Sequence, residues 1–521
     1  MPPRAVLAAL LSCCLSAAAS PANAAVESAR IAAASKSPLG LTLTGIPDIE
    51  FSIQRWPRWG SAEENASSLS ALKAARSQVE AFEPGELTQP EAADRTLALT
   101  RLARRIEMGQ AIANADSLLE PLLLKAKQAE DGDEDAALAL PGLVQGLIPE
   151  AGKQASLGLI PPGGLIAVHL WRLTTHSPNE PASAALRRLA DALELADNAE
   201  DPEALGPQTY AWRLRWNFGI PEPPEVIVDR AWRRASILKD RTRKLANAIA
   251  PGRDPKAVLD ELNRDRPKSD EELLGLYHET VQRAVDFPPA RRSFPLNLNP
   301  LIRIELAADL PQNAAAAFSV GNNTIRVQPT QAYTPPRSLI ATLAAHEGYP
   351  GHQHYFAQSW LRIILRSRYY ENENVMAVEG YATYVERELA RMGFYSPREE
   401  LSYLAGRLRH CLCAIADMGL HSGALTRPQA QRLLVEEAWV AEDRAAKSVA
   451  GMLRKPGFIL PYWLGMERLL PIKRRTRAAL GPRFCEPRFH EALLSFGPVP
   501  LEVVDQNIAA RMSALGEAGI H

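Results

Sequence analysis

The residues best suited to catalysis lie between positions 346 and 354, where three histidines and one glutamate fall within nine residues. They are His346, Glu347, His352 and His354. A glutamate directly after a histidine is the pair that a metallohydrolase places on one helix, because the imidazole binds the ion and the carboxylate accepts a proton from the attacking water. The segment therefore predicts half of a metal site.

The spacing of the histidines excludes a regular helix for the pair that would bind the ion. In the familiar H-E-x-x-H helix the second histidine lies four residues after the first, where this chain has Pro350. His352 lies six residues after His346, and on a regular helix it would point roughly 120° away. Pro350 disfavours an α conformation at Tyr349, and Gly351 accepts almost any backbone conformation. We therefore predict a helix break that turns His352 back toward the ion.

The third ligand is expected on a separate helix, because a hydrolytic zinc usually keeps three protein ligands and one open position. Glu379 lies 27 residues after His352 in an apolar helical segment. We predict that it joins His346 and His352 in binding one Zn²⁺ ion. Glu386, seven residues later on nearly the same helix face, is the alternative ligand. His354 is expected to be exposed or to support a ligand, and otherwise to replace one.

The elements that position these residues are predicted to be mainly helical. Helical periodicity covers residues 61–127, 182–195, 226–250 and most of the chain after position 336. The acidic run 130–134 ends the first of these segments. Residues 141–166 are rich in Gly and Pro and are predicted to form turns or a short buried connection. The fold class is therefore mainly α, built from many helices.

A single β-hairpin is predicted shortly before the His346 segment. Residues 316–320 and 324–328 flank a Gly-Asn-Asn turn at 321–323, and the second of these strands carries β-branched residues. An exposed strand beside a metal can pair with an extended peptide and hold its backbone. The hairpin therefore favours a peptide as the substrate.

Composition limits the classes of function and the number of domains. The chain has 521 residues, of which 46% are hydrophobic, enough for a large core and for two or more domains. Its 59 basic and 60 acidic side chains give a net charge of -1, so charge offers no argument for binding nucleic acid. Four prolines within residues 286–300 mark a boundary. We predict an N-terminal helical domain over 25–285 and a C-terminal helical catalytic domain over 286–521.

The first 24 residues are predicted to be a signal peptide. Arg4 precedes an apolar run over 5–15, and Ala-Asn-Ala at 22–24 is similar to an A-x-A cleavage site. A lipid anchor through Cys13, in the tetrad Leu-Leu-Ser-Cys, is the alternative. No later segment reaches the ~18 uninterrupted apolar residues of a membrane span. The protein is therefore expected to be exported, periplasmic or secreted, without a transmembrane segment.

Three cysteines follow the signal peptide, which are too few for a disulfide framework. They are Cys411, Cys413 and Cys485. Cys411 and Cys413 lie two residues apart on a predicted helix and face different directions. We predict that both are buried free thiols.

Two motifs of the chain resemble a known bacterial family. The first is His346-Glu-Gly-Tyr-Pro-Gly-His352, and the second is Glu379-Gly-Tyr-Ala-Thr-Tyr-Val-Glu386. They are similar to the patterns H-E-x-x-P-G-H and E-G-W-A-x-Y-x-E of the family catalogued as domain of unknown function 885. The resemblance implies a glutamate-ligand zinc metallopeptidase, or gluzincin. It also implies a largely helical fold similar to the thimet-oligopeptidase and angiotensin-converting-enzyme groups.

The chain departs from the family pattern at a few positions beside the motifs. Members often have a histidine where this chain has Gln353 and a glutamine where it has Tyr355. The tryptophan of the second motif is Tyr381 in this chain. Because the histidine of the P-G-H sequence is present as His352, the implied ligand set is kept.

The chain also matches the family elsewhere in its C-terminal half. The resemblance implies that these further matches contain groups that stabilise the tetrahedral oxyanion of peptide hydrolysis. The candidates are Tyr462, His421 and His490. Each has a structural alternative. Tyr462 can simply pack its ring, and His490 can cap a helix. His421 can be held by Asp417 at four-residue spacing, a pairing that would equally orient a catalytic imidazole.

These patterns together predict a zinc-dependent hydrolase, and most directly a peptidase with Glu347 as general base and a peptide or small amide as substrate. Two alternatives stay open. A non-catalytic exported metal-binding or peptide-binding protein would have no need of Glu347 beside His346. Hydrolysis of a non-peptide amide or ester would use the same residues.

Overall fold

The computed structural model describes most of the chain after residue 61, and it is mainly helical with one small sheet, as predicted. The described residues are 62–156, 180–197, 204–295, 302–310, 314–319, 323–331, 334–360 and 375–517, with the isolated positions 39, 42, 166 and 170. Several predicted features lie outside them. These are the signal peptide at 1–24 with Cys13, much of the Gly-rich segment after 156, the end of the Pro-rich segment at 296–300 and the first two turn residues at 321–322.

Four helices form the N-terminal part of the described chain. They are α1 (Ala62–Glu80), α2 (Gln89–Glu130), α3 (Glu134–Ser156) and α4 (Glu180–Asp197). A capping box between Thr88 and Glu91 starts α2, whose 42 residues span about 63 Å. The helical segment predicted from residue 61 to 127 is therefore two helices, and the second ends at the acidic run, as predicted.

Helix α3 corrects the prediction of turns after residue 140. The helix continues through Pro141 and Pro149. Ala136, Leu140 and Val144 recur every four residues along it and are buried, because α3 packs against α2 and α4. Burial of this apolar stripe outweighs the helix hydrogen bonds that the two prolines remove.

Five helices follow, and one of them connects the two halves of the chain. They are α5 (Pro207–Phe218), α6 (Pro224–Ile249), α7 (Pro255–Arg264), α8 (Asp270–Asp286) and α9 (Pro288–Ser293). α6 buries a stripe that includes Ala231 and Ala235, and it packs along the later helix α13 (Pro397–His421). Small side chains on such a stripe let two helices approach closely. The largest buried cluster consequently contains residues from both sides of position 286.

The sheet has three strands in the order β1-β3-β2. They are β1 (Arg303–Leu306), β2 (Ala316–Ser319) and β3 (Thr324–Val327). β2 and β3 are antiparallel, with Ser319 opposite Thr324, so the predicted hairpin is confirmed. The parallel strand β1 was not predicted, because four residues with two charged side chains carry little strand signal. Ile325 and Val327 are buried in a cluster shared with α8 and α10.

The described residues after 336, which are 337–360 and 375–517, are almost entirely helical, as predicted. Its other helices are α10 (Arg337–Glu347), α11 (His352–Trp360), α12 (Val375–Arg391), α14 (Arg427–Ala438), α15 (Glu442–Arg454), α16 (Met466–Leu480), α17 (Glu486–Ser495) and α18 (Leu501–Glu517). A five-residue π-helical segment, Pro461–Gly465, leads into α16 and packs against α12.

Two further predictions concern the cysteines and the membrane. Cys411 and Cys413 are buried free thiols, as predicted, and burial raises the pKa of Cys411 to about 12. Cys485 is also a free thiol and is partly exposed. None of the described helices combines the length and the apolarity that crossing a membrane requires.

Candidate metal centre

A sharp turn between two helices brings the two candidate histidine ligands together. α10 ends at Glu347, residues 348–351 turn the chain, and α11 begins at His352. The break predicted at Pro350-Gly351 is therefore present. Gly351 is necessary there, because a Cβ atom at this position would lie 1.9 Å from the carbonyl oxygen of His346. The rings of His346 and His352 lie nearly perpendicular, with their centroids 4.6 Å apart.

The three predicted ligands converge on one point. Donor atoms of His346, His352 and Glu379 all lie within 4.8 Å of one another. The Nε2 atoms of His346 and His352 lie 3.2 Å and 3.5 Å from Oε2 of Glu379. Tetrahedral ligands about 2.1 Å from a zinc ion lie about 3.4 Å from one another. The two distances to Glu379 therefore match the separation expected of ligands that share a zinc ion.

Glu386 occupies the other side of the His346 ring. Its Oε1 atom lies 2.7 Å from Nδ1 of His346. A neutral imidazole carries one proton, and Glu386 holds that proton on Nδ1. The Nε2 atom then faces the carboxylate of Glu379, and this contact needs a positive charge, supplied either by a bound cation or by a second proton on Nε2. This arrangement assigns Glu386 to orienting His346, whereas the sequence left it as an alternative ligand.

The protonation of the cluster reflects the same requirement for positive charge. Burial lowers the pKa of His346, but Glu379 and Glu386 outweigh it and hold this pKa well above the ordinary value. Burial raises the pKa of Glu379, but His352 and His346 outweigh it and hold this pKa well below its usual range. Glu379 is therefore anionic, and two imidazoles with one carboxylate form the donor set of many catalytic zinc sites.

Glu347 is buried beside these ligands and is held by the sheet. Its Oε2 atom accepts a hydrogen bond of 2.7 Å from the backbone N–H of Phe318 in β2. The hairpin thus fixes the carboxylate at the end of α10. Glu347 therefore directly follows one candidate ligand and lies beside an edge strand.

Tyr462 is the predicted oxyanion group that the structure brings to the cluster. Its ring lies parallel to that of His346, with the centroids 6.2 Å apart, and its hydroxyl shares a hydrogen bond with Glu379. Burial, and then the charges of Glu379 and Glu347, raise the pKa of Tyr462 well above its usual value. The hydroxyl is therefore a proton donor at any physiological pH.

Comparison with known proteins identifies the family. A family described as "Bacterial protein of unknown function (DUF885)" matches residues 168–508. The chain belongs to the DUF885 family. No curated protein matches it.

Two solved structures share the fold of this DUF885 protein. One is described as the putative lipoprotein from Colwellia psychrerythraea, with a TM-score of 0.58 and 16% identity over 87% of this chain and 92% of that chain. The other is a putative lipoprotein of unknown function from Shewanella oneidensis, with a TM-score of 0.59 and 16% identity over 92% of this chain and 98% of that chain. At this identity the likeness concerns the fold alone.

The structure of the DUF885 protein does not bring His490 to the ligand cluster, although the sequence predicts it as an oxyanion group. The two nitrogens of His490 lie 2.7 Å from the Tyr384 hydroxyl and 2.6 Å from the carbonyl oxygen of Ser293. Lys473 donates to the same Tyr384 hydroxyl. His490 thus completes a buried hydrogen-bond chain, and burial holds its pKa well below the ordinary value.

His421 is also placed away from the cluster, which corrects the second oxyanion prediction. Its Nδ1 atom accepts from the backbone N–H of Leu205 at 3.1 Å, and its Nε2 atom lies 3.3 Å from the carbonyl oxygen of Met452. It stands eleven residues after His410 on α13, which is about 16 Å along the helix. His410, unlike His421, lies beside Tyr462.

His354 is not a replacement ligand, because both of its nitrogens face other groups. Nε2 lies 3.0 Å from the carbonyl oxygen of Pro295, and Nδ1 lies 3.4 Å from the Tyr381 hydroxyl. Burial lowers the pKa of His354 to about 4, so the ring is neutral. His354 therefore supports the start of α11 behind the candidate ligand His352.

Sequence reasoning missed two residues of α13 that lie beside the site. The ring of His410 lies 5.5 Å from that of Tyr462, and Nη2 of Arg409 lies 3.3 Å from Nε2 of His410. Burial, and then Arg409, lower the pKa of His410 well below its ordinary value. A basic pair within a long helix has no motif that distinguishes it, so no signal in the sequence marks these residues.

Proposed function

We propose that this DUF885 protein is a zinc-dependent hydrolase of peptide bonds, with His346, His352 and Glu379 as ligands and Glu347 as general base. The observation that carries the proposal is the convergence of two imidazole nitrogens and one carboxylate oxygen within 4.8 Å, with Glu347 next in sequence to the first ligand. This ligand set and the mainly helical fold support a place among the glutamate-ligand zinc metallopeptidases.

The residues around the ligands have complementary roles in the proposed reaction. Zinc, when bound, supplies a Lewis acid that polarises the scissile carbonyl and the attacking water. Glu347 accepts a proton from that water and returns it to the leaving amine. The Phe318 amide keeps the Glu347 carboxylate in place. The Tyr462 hydroxyl donates to the carbonyl oxygen as negative charge develops on it.

The edge of the sheet supports a peptide substrate over a small ester. The amide of Gln328 donates to the carbonyl of Ala315, so Ala316 and Phe318 belong to the pairs that make no hydrogen bonds to β3. The backbone N–H and C=O groups of these two residues therefore point away from β3, toward the outer edge of the sheet, where the Phe318 amide binds Glu347. Among the described residues no strand covers this edge. An extended peptide can pair with the outward backbone groups that Glu347 does not occupy and place its backbone beside the metal centre.

We also propose that the protein is exported. The predicted signal peptide at residues 1–24 supports this location, and both similar solved structures are described as putative lipoproteins. The tetrad Leu-Leu-Ser-Cys that ends at Cys13 would be the site of a lipid anchor. Signal cleavage near residue 24 and acylation at Cys13 give mature chains of different mass, which mass spectrometry of the protein from a native host separates.

Substitution of Glu347 by Gln tests the catalytic proposal. We expect wild-type protein to contain one zinc ion per chain and to cleave members of a blocked peptide library. Glu347→Gln should keep the zinc, because Glu347 is not a ligand, and should lose hydrolysis by a factor of about 10² to 10⁴. Glu436→Gln, at an exposed position on α14, is the matched control and should change neither property.

Three outcomes would overturn the proposal. Full hydrolysis by Glu347→Gln would exclude Glu347 as the base. Stoichiometric zinc in a wild-type protein that cleaves no peptide would favour the non-catalytic binding protein, and cleavage of esters or small amides alone would favour the other hydrolase.

A further inference from the structure

Two phenylalanine side chains form an apolar wall on one side of the metal centre. The wall consists of Phe318 in β2 and Phe356 in α11, whose rings are nearly parallel with their centroids 6.2 Å apart. The ring of Phe356 lies 6.3 Å from that of the ligand His352. The amide of Phe318 binds the proposed base Glu347. Phe318 thus lies on the strand that binds Glu347, and Phe356 lies on the helix that carries His352.

The geometry of α11 places the apolar wall on the side where the ligand lies. Phe356 follows His352 by four residues, and residues at this spacing lie on the same helix face. His352 directs Nε2 at Glu379. The ring of Phe356 therefore lies on the face of α11 that carries the ligand, one turn further along.

The two rings of the wall are more exposed to solvent than the histidine side chains beside them. His346 and His352 are 8% and 7% exposed, whereas Phe318 and Phe356 are only partly buried. Each phenylalanine packs on one side against a core cluster, Phe318 against that of β3 and Phe356 against that of α12. Ligand sites are lined mainly by apolar and aromatic side chains around a few polar groups, so partly exposed aromatic rings beside a polar centre can pack against an apolar group of a ligand.

From this placement we propose that the apolar wall is a side-chain subsite, and that the preferred substrates carry an aromatic or large aliphatic residue next to the scissile bond. The inference rests on the proposed function, since it specifies the substrate of the same site. A peptide paired along the outer edge of β2 runs past Phe318, so a side chain adjacent to the bond at the metal centre meets the two rings. Covering them removes apolar area from water on both partners.

Peptide binding to zinc-loaded Glu347→Gln protein tests the subsite without depending on turnover. The probes are blocked pentapeptides, acetyl-Ala-Ala-Xaa-Ala-Ala-amide, in which Xaa is Phe, Leu, Ala or Glu, and the readout is the Kd from calorimetry. We expect the Phe peptide to bind at least about 10-fold more tightly than the Ala peptide. The Leu peptide should bind with intermediate affinity.

Variants of the wall should remove this preference. Phe356→Ala and Phe318→Ala, each in the Glu347→Gln background, should reduce the ratio of Phe to Ala affinity to below about 3-fold. Phe318→Ala keeps the backbone amide that binds Glu347, so it changes the wall alone. Phe82→Ala, a partly buried ring packed against a separate cluster, is the matched control and should keep the ratio. Phe356→Leu serves if Phe356→Ala does not fold.

The outcomes separate the subsite from the proposed hydrolase. Equal affinities for the four peptides, no detectable binding, or a preference that persists in folded wall variants would each overturn the subsite. Hydrolysis by wild-type protein is measured in parallel. Aromatic preference in binding without hydrolysis would support the wall and overturn the hydrolase, whereas hydrolysis without preference would do the reverse.

Discussion

Substitution of Gly351 by Ala should disrupt the metal centre from a position that contacts no ligand side chain. Gly351 lies in the turn between the two histidine ligands, and a Cβ atom there would lie 1.9 Å from the carbonyl oxygen of His346 and 2.3 Å from that of Ala345. Both obstructing atoms belong to the backbone of α10. The clash therefore cannot be relieved by a side-chain rotation, and one backbone must move.

The required movement is large compared with the tolerance of a zinc site. Real Cβ atoms essentially never approach another atom more closely than 3.0 Å, so the turn must shift by about 1 Å relative to α10. Metal-ligand distances are maintained to within about 0.2 Å. Because His346 and His352 stand on opposite sides of the turn, such a shift displaces one from the ion. We expect zinc affinity to fall by at least about 100-fold, beyond the range for loss of an outer partner.

Chelator competition measures this effect, and one glycine elsewhere controls for the substitution itself. Gly275 in α8 has no heavy atom within 4 Å of the position its Cβ would occupy. Gly275→Ala should therefore leave zinc affinity unchanged and stabilise α8 by about 0.5–1 kcal/mol. Zinc affinity of Gly351→Ala within about threefold of wild type, with normal hydrolysis, would refute the argument that the turn sets the ligand geometry.

Three further substitutions test other parts of the structure. Glu386→Ala should lower zinc affinity by about 10- to 100-fold in chelator competition, whereas Glu386→Gln, whose amide oxygen still accepts from Nδ1 of His346, should retain most of it. Tyr462→Phe should lower kcat by about 10² to 10³ in steady-state assays without loss of zinc, because it removes one donor to the oxyanion. Asp417→Asn should flatten the dependence of stability on pH in denaturant titrations. Burial raises the pKa of Asp417 from 3.8 to about 7, against the hydrogen bond from Tyr210. The folded protein therefore keeps a proton that the unfolded chain releases near pH 4, and the free energy of unfolding falls by about 3 kcal/mol as the pH rises from 4 to 7.

Each of these expectations has a result that would contradict it. Equal loss of zinc in both Glu386 variants would show that the position requires a charge and not an acceptor. Loss of zinc in Tyr462→Phe would give the hydroxyl a structural role at Glu379. A wild-type free energy of unfolding that stays constant between pH 4 and 7, or that falls equally in Asp417→Asn, would exclude Asp417 as the source of the slope.

The His/Glu cluster could be predicted because the chemistry of its residues leaves a local signature. A His-Glu pair with Pro350-Gly351 behind it encodes a helix end, and the break lies where the residue types predict it. Glu379 stood out as an acid in an apolar segment. Glu386 stands out equally in the sequence, and only the packing of α12 against α10 decides which acid meets Nε2 of His346 and which meets Nδ1. Spacing places the two acids on one face but does not fix the register against the neighbouring helix.

The predictions for His421 and His490 failed for one physical reason, which is that buried polar groups need partners. His421 and His490 resemble catalytic residues in type, but a buried imidazole requires two partners, and here the core supplies them as carbonyl, amide and hydroxyl groups. The sequence contains no record of those partners, because Leu205 and Ser293 act through backbone atoms. For the same reason, the sequence does not predict the hydrogen bond from the backbone amide of Phe318 to Glu347, because this bond does not involve the side chain at position 318.

Tyr462 reaches the metal centre because two glycines allow two backbones to touch. A Cβ atom on Gly380 would lie 2.7 Å from backbone atoms of Gly465, and one on Gly465 would lie 2.4 Å from the carbonyl oxygen of Met376. This contact fixes the π-helical segment against α12, one residue after Glu379. A π-helical turn widens the helix and rotates the side chains that it carries. Glu379 and Tyr462, the proposed ligand and the proposed proton donor, are therefore positioned by one backbone contact. Neither glycine reveals this contact in a sequence that contains 31 of them.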